Sequence, residues 1–232
     1  MSAIVMTGAA LIVAGGIAHG TWYRNSPVFG RVISRLPGDG RRVALTFDDG
    51  PNPESTPRVL DALAEAGVRA TFFLLGRHVD RWPDIAARVA AEGHEVGNHG
   101  WHHRKLHVRL PAYVRDDITR GASSIARATG VSPRLFRAPH GFRSPWVSPI
   151  ARALGQRVVG WSLGVWDSAR PGAAVIAQRT VAGVRPGSIV LLHDGDGYDP
   201  SGDRTQTAAA IPEIVRALRA RGYVFEAVAA GM

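Results

Sequence analysis

Short runs of β-branched and aromatic residues alternate with longer segments of helical periodicity along most of this chain. The runs that predict strands lie at 42–47, 70–75, 135–137, 157–161, 188–192 and 223–228. The segments that predict helices lie at 54–66, 84–91, 112–128, 173–181 and 207–221. Strands that alternate with helices predict an α/β domain with a mainly parallel sheet, closed as a barrel or open.

The N-terminal segment has a different pattern. Residues 3–18 carry no charge and consist mainly of Ala, Ile, Val, Leu and Gly, and Trp22 and Tyr23 precede Arg24. A bilayer-spanning helix needs ~20 apolar residues, and Trp and Tyr are enriched at the membrane interface. We therefore predict a hydrophobic segment at 1–24 that anchors the chain to a membrane or the cell envelope, with the side of the membrane left open. A cleaved signal peptide and a buried helix are the alternatives.

Composition limits the remaining possibilities. The 232 residues are 45% apolar and 20% charged, which suits one compact domain and excludes a disordered chain. We place a linker at 25–40 and this single domain at 41–232. The chain has no cysteine, so any metal must be held by His, Asp or Glu. Its formal charge of +9 is spread along the chain rather than clustered with aromatics, so we predict no nucleic-acid partner.

Polar residues collect where the predicted strands end, which is where parallel α/β folds place their active sites. The first strand ends in TFDDGP, where Asp48 and Asp49 point in different directions because side chains alternate along a strand. The two carboxylates either approach one site from different angles or only bind backbone amides in a turn.

Histidines form the second cluster. Five of the nine lie between His94 and His107. His99 and His103 are four residues apart, so one helical turn would bring both imidazoles to one side, although His103 and His107 share that spacing. Together with the acidic pair on another strand, this cluster predicts a divalent metal site.

Two further side chains belong to this edge of the predicted sheet. Arg137 lies at an apolar strand end and needs a carboxylate partner because an unpaired buried charge is costly, and Asp48 is the candidate. His193 follows four apolar residues, at the point where a buried strand reaches the surface. A lone histidine in that position is more often structural than catalytic.

Taken in order, TFDDGP, H-x-x-x-H, R-x-P-x-G and L-x-H resemble the motifs of the polysaccharide deacetylases, the carbohydrate esterase family 4 group with the NodB homology domain. The resemblance covers about Val43 to Val228. It implies a distorted, incomplete (β/α) barrel that removes acetyl groups from glycans by metal-dependent hydrolysis. The cofactor implied is a divalent metal ion, Zn²⁺ first, with Co²⁺ or another divalent ion as alternatives.

The resemblance also implies a role for each matching residue. Asp48 would be the general base, oriented by Arg137, and His193 the general acid, for which Asp167 is our candidate partner. The metal ligands would be Asp49, His99 and His103. The residues expected at the substrate groove are Pro139, His140, Gly141, Leu191 and Trp166, and the backbone amide of His140 would help to bind the oxyanion.

Three positions depart from the family pattern. Gly100 stands where the family usually carries Ser or Thr, so we expect one loop hydrogen bond to be absent. His140 replaces the commoner Tyr, which should alter the groove wall. The D-x-x-D-W motif keeps an acid only at Asp167, with Gly164 and Ser168 at the other two positions, and Trp166 is expected to fill the vacated space.

The predicted function is hydrolysis of N-acetyl groups on an N-acetylglucosamine-containing glycan or lipid-linked sugar. One alternative is an amidase or deformylase, because an Asp-His-His site does not itself select the acyl group. Another is a glycan-binding protein whose site has decayed. A third is an iron(II) oxygenase with a two-histidine, one-carboxylate triad, which the strand-helix alternation disfavours. No oligomeric state is predicted.

Overall fold

The structure is a computed structural model that describes residues 14–229 of the chain. Its strands are β1 (Arg42–Asp48), β2 (Thr71–Leu74), β3 (Glu95–Asn98), β4 (Leu135–Phe136), β5 (Arg157–Val158), β6 (Leu163–Gly164), β7 (Ser188–His193) and β8 (Val224–Phe225). Within the described residues they form one sheet in the order β5-β4-β3-β2-β1-β7-β6, and β8 also pairs with β1. Every pairing between these strands is parallel.

The described residues contain eight α-helices, most of which pack around this sheet. They are α1 (described over 14–22), α2 (Ser55–Glu65), α3 (Gly76–Arg81), α4 (Pro83–Ala91), α5 (Pro111–Thr129), α6 (Val147–Ala153), α7 (Ala173–Gly183) and α8 (Thr205–Ala220). α8 packs against α2 and α7, and α5 packs against α3 and α4. The edge strands β5 and β6 do not pair with each other in the described part of the chain, so the barrel is incomplete. This confirms the predicted fold class.

Alternation along β1 decides which residues face the helices and which face the inside of the curled sheet. Val43, Leu45 and Phe47 join the main hydrophobic core beneath the helices. Ala44 instead packs with the smaller core on the other face. Asp48 shares the period of Ala44, so it lies on the inner face at the carboxyl end of the strand.

The segment 25–40, predicted as a linker, packs against the sheet. Ile33 forms a parallel bridge with Val159, and Arg35 forms an antiparallel bridge with Ser188. The guanidinium of the buried Arg143 donates to the carbonyl of Ser26. These contacts tie the segment to the open side of the barrel, while the domain boundary at residue 41 stays a prediction.

Most of the predicted elements are confirmed, but β3, β6, α3 and α6 were not predicted. β3 has only four residues with Gly97 among them, and β6 is a two-residue strand ending in Gly164, so neither carries a strong β pattern. The predicted membrane anchor begins in residues 1–13, which lie outside the described residues. Among residues 14–229, no helix is both long and apolar enough to cross a membrane.

Candidate functional site

Four strands of the sheet end at the same edge and bring the predicted site residues together. β1 ends at Asp48, which is the register partner of His193 at the end of β7. β3 ends one residue before His99, and β4 ends one residue before Arg137. The carboxyl ends of parallel strands meet at one edge of the sheet, so residues far apart in sequence surround one small cavity.

Asp49, His99 and His103 form a cluster suited to a divalent cation. Asp49 Oδ1 lies 3.4 Å from His99 Nε2 and 3.2 Å from His103 Nε2, and all three residues are buried. Asp49 Oδ1 has no hydrogen-bond partner among the described residues. A buried carboxylate oxygen without a donor is costly, and a cation between one oxygen and two nitrogens would satisfy it. The residues present therefore fit a metal ion.

The two imidazoles of this cluster are in the form that binds a metal. Burial lowers the pKa of His99 well below its ordinary value and lowers the pKa of His103 to about 4, so both rings are neutral at physiological pH. His99 Nδ1 lies 2.8 Å from the carbonyl oxygen of Arg137, which can only accept. The Nδ1–H of His99 therefore donates there, and its Nε2 lone pair faces Asp49.

The predicted helical turn between the two histidine ligands is wrong. β3 ends at Asn98, and the chain then runs through a loop in which Gly100 and His103 have left-handed backbones, with φ of 81° and 59°. The loop, rather than helical periodicity, turns both rings toward Asp49. The structure thus brings His99 and His103 together beside Asp49 without the helical turn that their spacing predicts.

Asp117 of α5 holds this loop in place. Its carboxylate accepts the backbone N–H groups of Trp101 and His102 and lies 2.7 Å from His102 Nδ1. A Cβ at Gly100 would lie 2.3 Å from Asp117 Oδ2. The Asp117 carboxylate therefore fixes the loop that carries His103. The same carboxylate leaves no room for a side chain at position 100.

Asp48 and Arg137 form a buried ion pair beside the metal cluster. Arg137 Nη1 donates to Asp48 Oδ1 at 2.7 Å and to Thr46 Oγ1 at 2.8 Å, and Nη2 donates to the carbonyl of Gly160. Burial raises the pKa of Asp48 to about 6, although Arg137 favours its ionised form. Asp48 Oδ2 lies 3.8 Å from His99 Nε2, so this carboxylate borders the metal cluster.

His193 and Asp167 form a second pair of charged groups at the cavity. His193 Nδ1 lies 2.9 Å from Asp167 Oδ1, and the backbone N–H of His193 donates to Asp167 Oδ2. Thr207 donates a further hydrogen bond to this carboxylate. Burial alone would lower the pKa of His193, but the Asp167 carboxylate outweighs it and raises the pKa to about 9. The imidazole is therefore protonated at neutral pH.

The cavity between these groups has a volume of about 250 Å³. Among the predicted groove residues, His140 and Leu191 line it, whereas Pro139 and Gly141 do not. Trp166 does not line it either: the indole is 74% exposed and points away, and Ser168 takes the place beside the cavity. Asp167 must turn inward to reach His193, which leaves the preceding side chain outside.

Several lining residues were missed by the sequence analysis. Trp161 contributes one wall, and the segment after His193 contributes Asp196, Gly197, Tyr198 and Arg204. Tyr198 Oη lies 2.9 Å from His140 Nε2 at the mouth of the cavity. This Gly- and Asp-rich segment directly follows a strand that ends in the site. Its position after that strand was the feature of the sequence that could have predicted it as part of the cavity.

Comparisons with known proteins show the family to which this chain is similar. Residues 35–159 match the family described as polysaccharide deacetylase. A chitooligosaccharide deacetylase of Bradyrhizobium sp. (strain ANU 289) is 42% identical over 79% of this chain and 87% of its own. A peptidoglycan-N-acetylglucosamine deacetylase of Bacillus cereus is 37% identical over 86% of this chain and 92% of its own. A crystal structure of a peptidoglycan N-acetylglucosamine deacetylase in complex with a benzamide compound superposes with a TM-score of 0.82 at 31% identity, over 87% of this chain and 92% of that one.

Proposed function

The chain belongs to the polysaccharide deacetylase family, and we propose that it hydrolyses N-acetyl groups on glycans or lipid-linked sugars that contain N-acetylglucosamine. The observation that carries this proposal is the arrangement of three functional groups around one cavity. A metal-binding trio lines the same cavity as an ionisable carboxyl, Asp48, and a protonated imidazole, His193. Amide hydrolysis needs a base for the water and an acid for the departing amine, and the site holds one of each.

We propose Zn²⁺ as the native metal. Bonds of about 2.0–2.1 Å to nitrogen and oxygen in a tetrahedron place neighbouring ligand atoms roughly 3.3 Å apart. The separations from Asp49 Oδ1 to the two imidazole nitrogens are 3.4 and 3.2 Å. Asp49, His99 and His103 would hold the ion with three ligands, the number that hydrolytic zinc sites use. A bound Zn²⁺ would acidify a water molecule and polarise the amide carbonyl.

The protein side chains then divide the proton transfers between them. Asp48, held by Arg137, accepts the proton of the attacking water. His193, kept charged by Asp167, donates its proton to the sugar nitrogen as the carbon–nitrogen bond breaks. The products are acetate and a free amine on the sugar; Asp48 then releases its proton to solvent, and the imidazole of His193 regains one.

The residues do not favour the alternative of a glycan-binding protein with a decayed site. The six residues that carry the proposed chemistry are all present and buried or partly buried around the cavity: Asp48, Asp49, His99, Arg137, His193 and His103. Although the D-x-x-D-W motif is altered, Asp167 still reaches His193. The pairing of Asp167 with His193, which this motif provides, is therefore retained.

Acetate release tests this proposal. Purified full-length chain is incubated with chito-oligosaccharides and with peptidoglycan fragments, before and after treatment with a chelator and after addition of Zn²⁺ or Co²⁺. We expect metal-dependent acetate release, and Asp49→Ala serves as the matched control that cannot be restored by metal. Binding of the sugars without turnover at any metal concentration would overturn the proposal, and release of another acyl group in its place would support an amidase.

A further inference from the structure

We propose that a surface beside the active site, formed by α1, the loop that follows His103 and the residue before α6, docks on an anionic lipid bilayer. This docking surface consists of the apolar residues Trp22, Val108, Leu110 and Trp146 and the basic residues Arg104, Lys105 and Arg109. The inference does not depend on the proposed function, because binding to vesicles is measured without turnover.

The apolar residues of the docking surface are exposed, and their backbone neighbours contact one another. The exposed fractions are 60% for Trp22, 67% for Val108, 77% for Leu110 and 36% for Trp146. The Trp22 ring lies 5.4 Å from the ring of His107, next to Val108. Trp146 Nε1 donates to the carbonyl of Arg109, next to Leu110. Large apolar side chains gathered at one place on a surface mark an interaction site rather than scattered exposure.

A short loop anchored by one buried residue presents most of this surface. Leu106 is fully buried against α5 and α6 residues in a second hydrophobic core, whereas Val108 and Leu110 point outward. The side chain of Leu106 therefore holds the loop on the domain, while the side chains two and four residues later are left for a partner.

The charge of the loop selects an anionic partner. Arg104, Lys105 and Arg109 are exposed, and none of them forms an ion pair within residues 14–229. The sequence contains no acidic residue between His99 and Arg115. Aromatic and aliphatic side chains mixed with unpaired cations are typical of proteins that sit in the headgroup region of anionic membranes.

The course of the chain favours a bilayer over other anionic partners. Trp22 is the last residue of α1, and Ile17 of the same helix is 47% exposed. In sequence the helix is preceded by residues 3–13, which carry no charge. An apolar segment that enters a membrane would bring Trp22 and the neighbouring loop to the headgroups. A second copy of the chain would instead place two basic surfaces against each other.

The site lies next to this surface. His103, a proposed metal ligand, immediately precedes Arg104, and Phe142 beside Trp22 stacks with His140 at the cavity. Combined with the proposed function, docking would place the cavity where lipid-linked or membrane-proximal glycans are found. This last step rests on the proposed function, whereas docking itself does not.

A single fluorophore tests docking, because the chain has no native cysteine. Leu110→Cys in the full-length chain is labelled with an environment-sensitive dye and mixed with vesicles of phosphatidylcholine and phosphatidylglycerol. Val224→Cys is the matched control, since Val224 is 63% exposed on β8. We expect the dye at position 110 to shift to shorter wavelength and gain intensity, with no change at position 224. An equal dye response at positions 110 and 224 would overturn the proposal. The absence of any dye response at position 110 in the presence of vesicles would overturn it as well.

Charge variants supply the second test. Replacing Arg104, Lys105 and Arg109 with Gln should weaken binding to the anionic vesicles about fivefold per residue, since each cation near such a surface contributes about that factor. Replacing Arg58, Arg69 and Arg134, which are also exposed and unpaired in the described part of the chain, makes the same change of charge elsewhere and should leave binding nearly unchanged. Equal losses in the two triple variants would contradict a specific surface.

The other occupants of this surface give different results. If a second copy occupied it, sedimentation without vesicles would show a dimer that Leu110→Asp abolishes. If a soluble glycan occupied it, peptidoglycan fragments would shift the dye at position 110 as strongly as vesicles do. Either result would overturn docking on a bilayer.

Discussion

The two sides of the candidate site are built in different ways. On the metal side, Asp49 and His103 have left-handed backbones, with φ of 76° and 59°, and Asp49 Oδ1 has no hydrogen-bond donor among the described residues. On the acid side, His193 ends a regular strand, and its ring and backbone N–H both bind Asp167. The acid side is satisfied by the protein alone, whereas a bound cation would satisfy the unpartnered Asp49 oxygen on the metal side.

This difference has an energetic consequence. Burying a carboxylate oxygen without a partner costs about 1–3 kcal/mol or more, and left-handed backbone in residues other than glycine adds to that cost. A cation that binds only the folded state recovers the loss and stabilises the fold by mass action. Variants on the two sides should therefore differ in metal binding and thermal stability as well as in rate.

Asp49→Ala is expected to have the largest effect. It removes one of three proposed ligands, so acetate release should fall below detection and the metal content of the purified protein should drop. Zn²⁺ should raise the unfolding temperature of the wild-type chain but not that of the variant, which calorimetry measures directly. An unchanged Zn²⁺-dependent stabilisation in the variant would mean that the cation binds elsewhere.

Asp48→Asn is expected to separate catalysis from metal binding. The amide keeps the shape of the carboxylate but cannot accept the proton of the attacking water, and loss of a general base typically lowers the rate by about 10²–10⁴. Metal content, measured by atomic emission on the purified protein, should remain that of the wild type. Equal metal loss in Asp48→Asn and Asp49→Ala would refute the division of roles between the two carboxylates.

How far the sequence predicted this site depends on the local backbone of each residue. Asp48, Arg137 and His193 lie at or directly after strand ends. Apolar runs predict those strands, and the carboxyl ends of parallel strands meet at one edge of a sheet, which was enough to place the three residues together. The cavity position of Tyr198 depends on a loop whose path comes from tertiary contacts, among them the hydrogen bond from Arg77 to the carbonyl of Gly197. Periodicity carries no information about such contacts.

Trp166 shows the same limit of sequence-based prediction, because it was expected in the groove and does not line the cavity. Its residue type and its place in an altered motif both favoured a position in the groove, but the backbone at Trp166 is left-handed, with φ of 59°. That turn sends Asp167 inward and the indole outward. A one-residue change in direction within a short loop reverses the prediction, and nothing in the spacing of the motif reveals it.

Asp167→Asn is expected to change the pH dependence rather than the metal content. His193 must be protonated to act as an acid, so the wild-type rate should fall as pH rises through about 9, and it should rise through about 6 as Asp48 ionises. Without the Asp167 charge, burial lowers the pKa of His193. The loss of rate at high pH, called the alkaline fall below, therefore moves to lower pH. Initial rates across the pH range measure this shift.

Thr207→Val is the matched control for that experiment. It removes one hydrogen bond to Asp167 Oδ2 but leaves the carboxylate charged, so the alkaline fall should move little. A profile for Asp167→Asn that coincides with the wild-type profile would exclude His193 as the group that titrates, and with it the pairing assigned to the acid side.

Gly100→Ala is expected to have the smallest effect, and one confined to the metal side. Its left-handed backbone alone should cost roughly 1–2 kcal/mol of unfolding free energy, and the added methyl group would also press on Asp117, which holds the loop that carries His103. Gly130→Ala is the matched control, because Gly130 has a φ of 71° but open space around it. Both variants should lose stability in chemical denaturation. Only Gly100→Ala should bind Zn²⁺ more weakly in a competition titration. The pH at which the rate falls, which His193 sets, should be unchanged. Equal Zn²⁺ affinity in the two glycine variants would show that the metal side tolerates movement of its loop, which would remove the contrast between the two halves of the site.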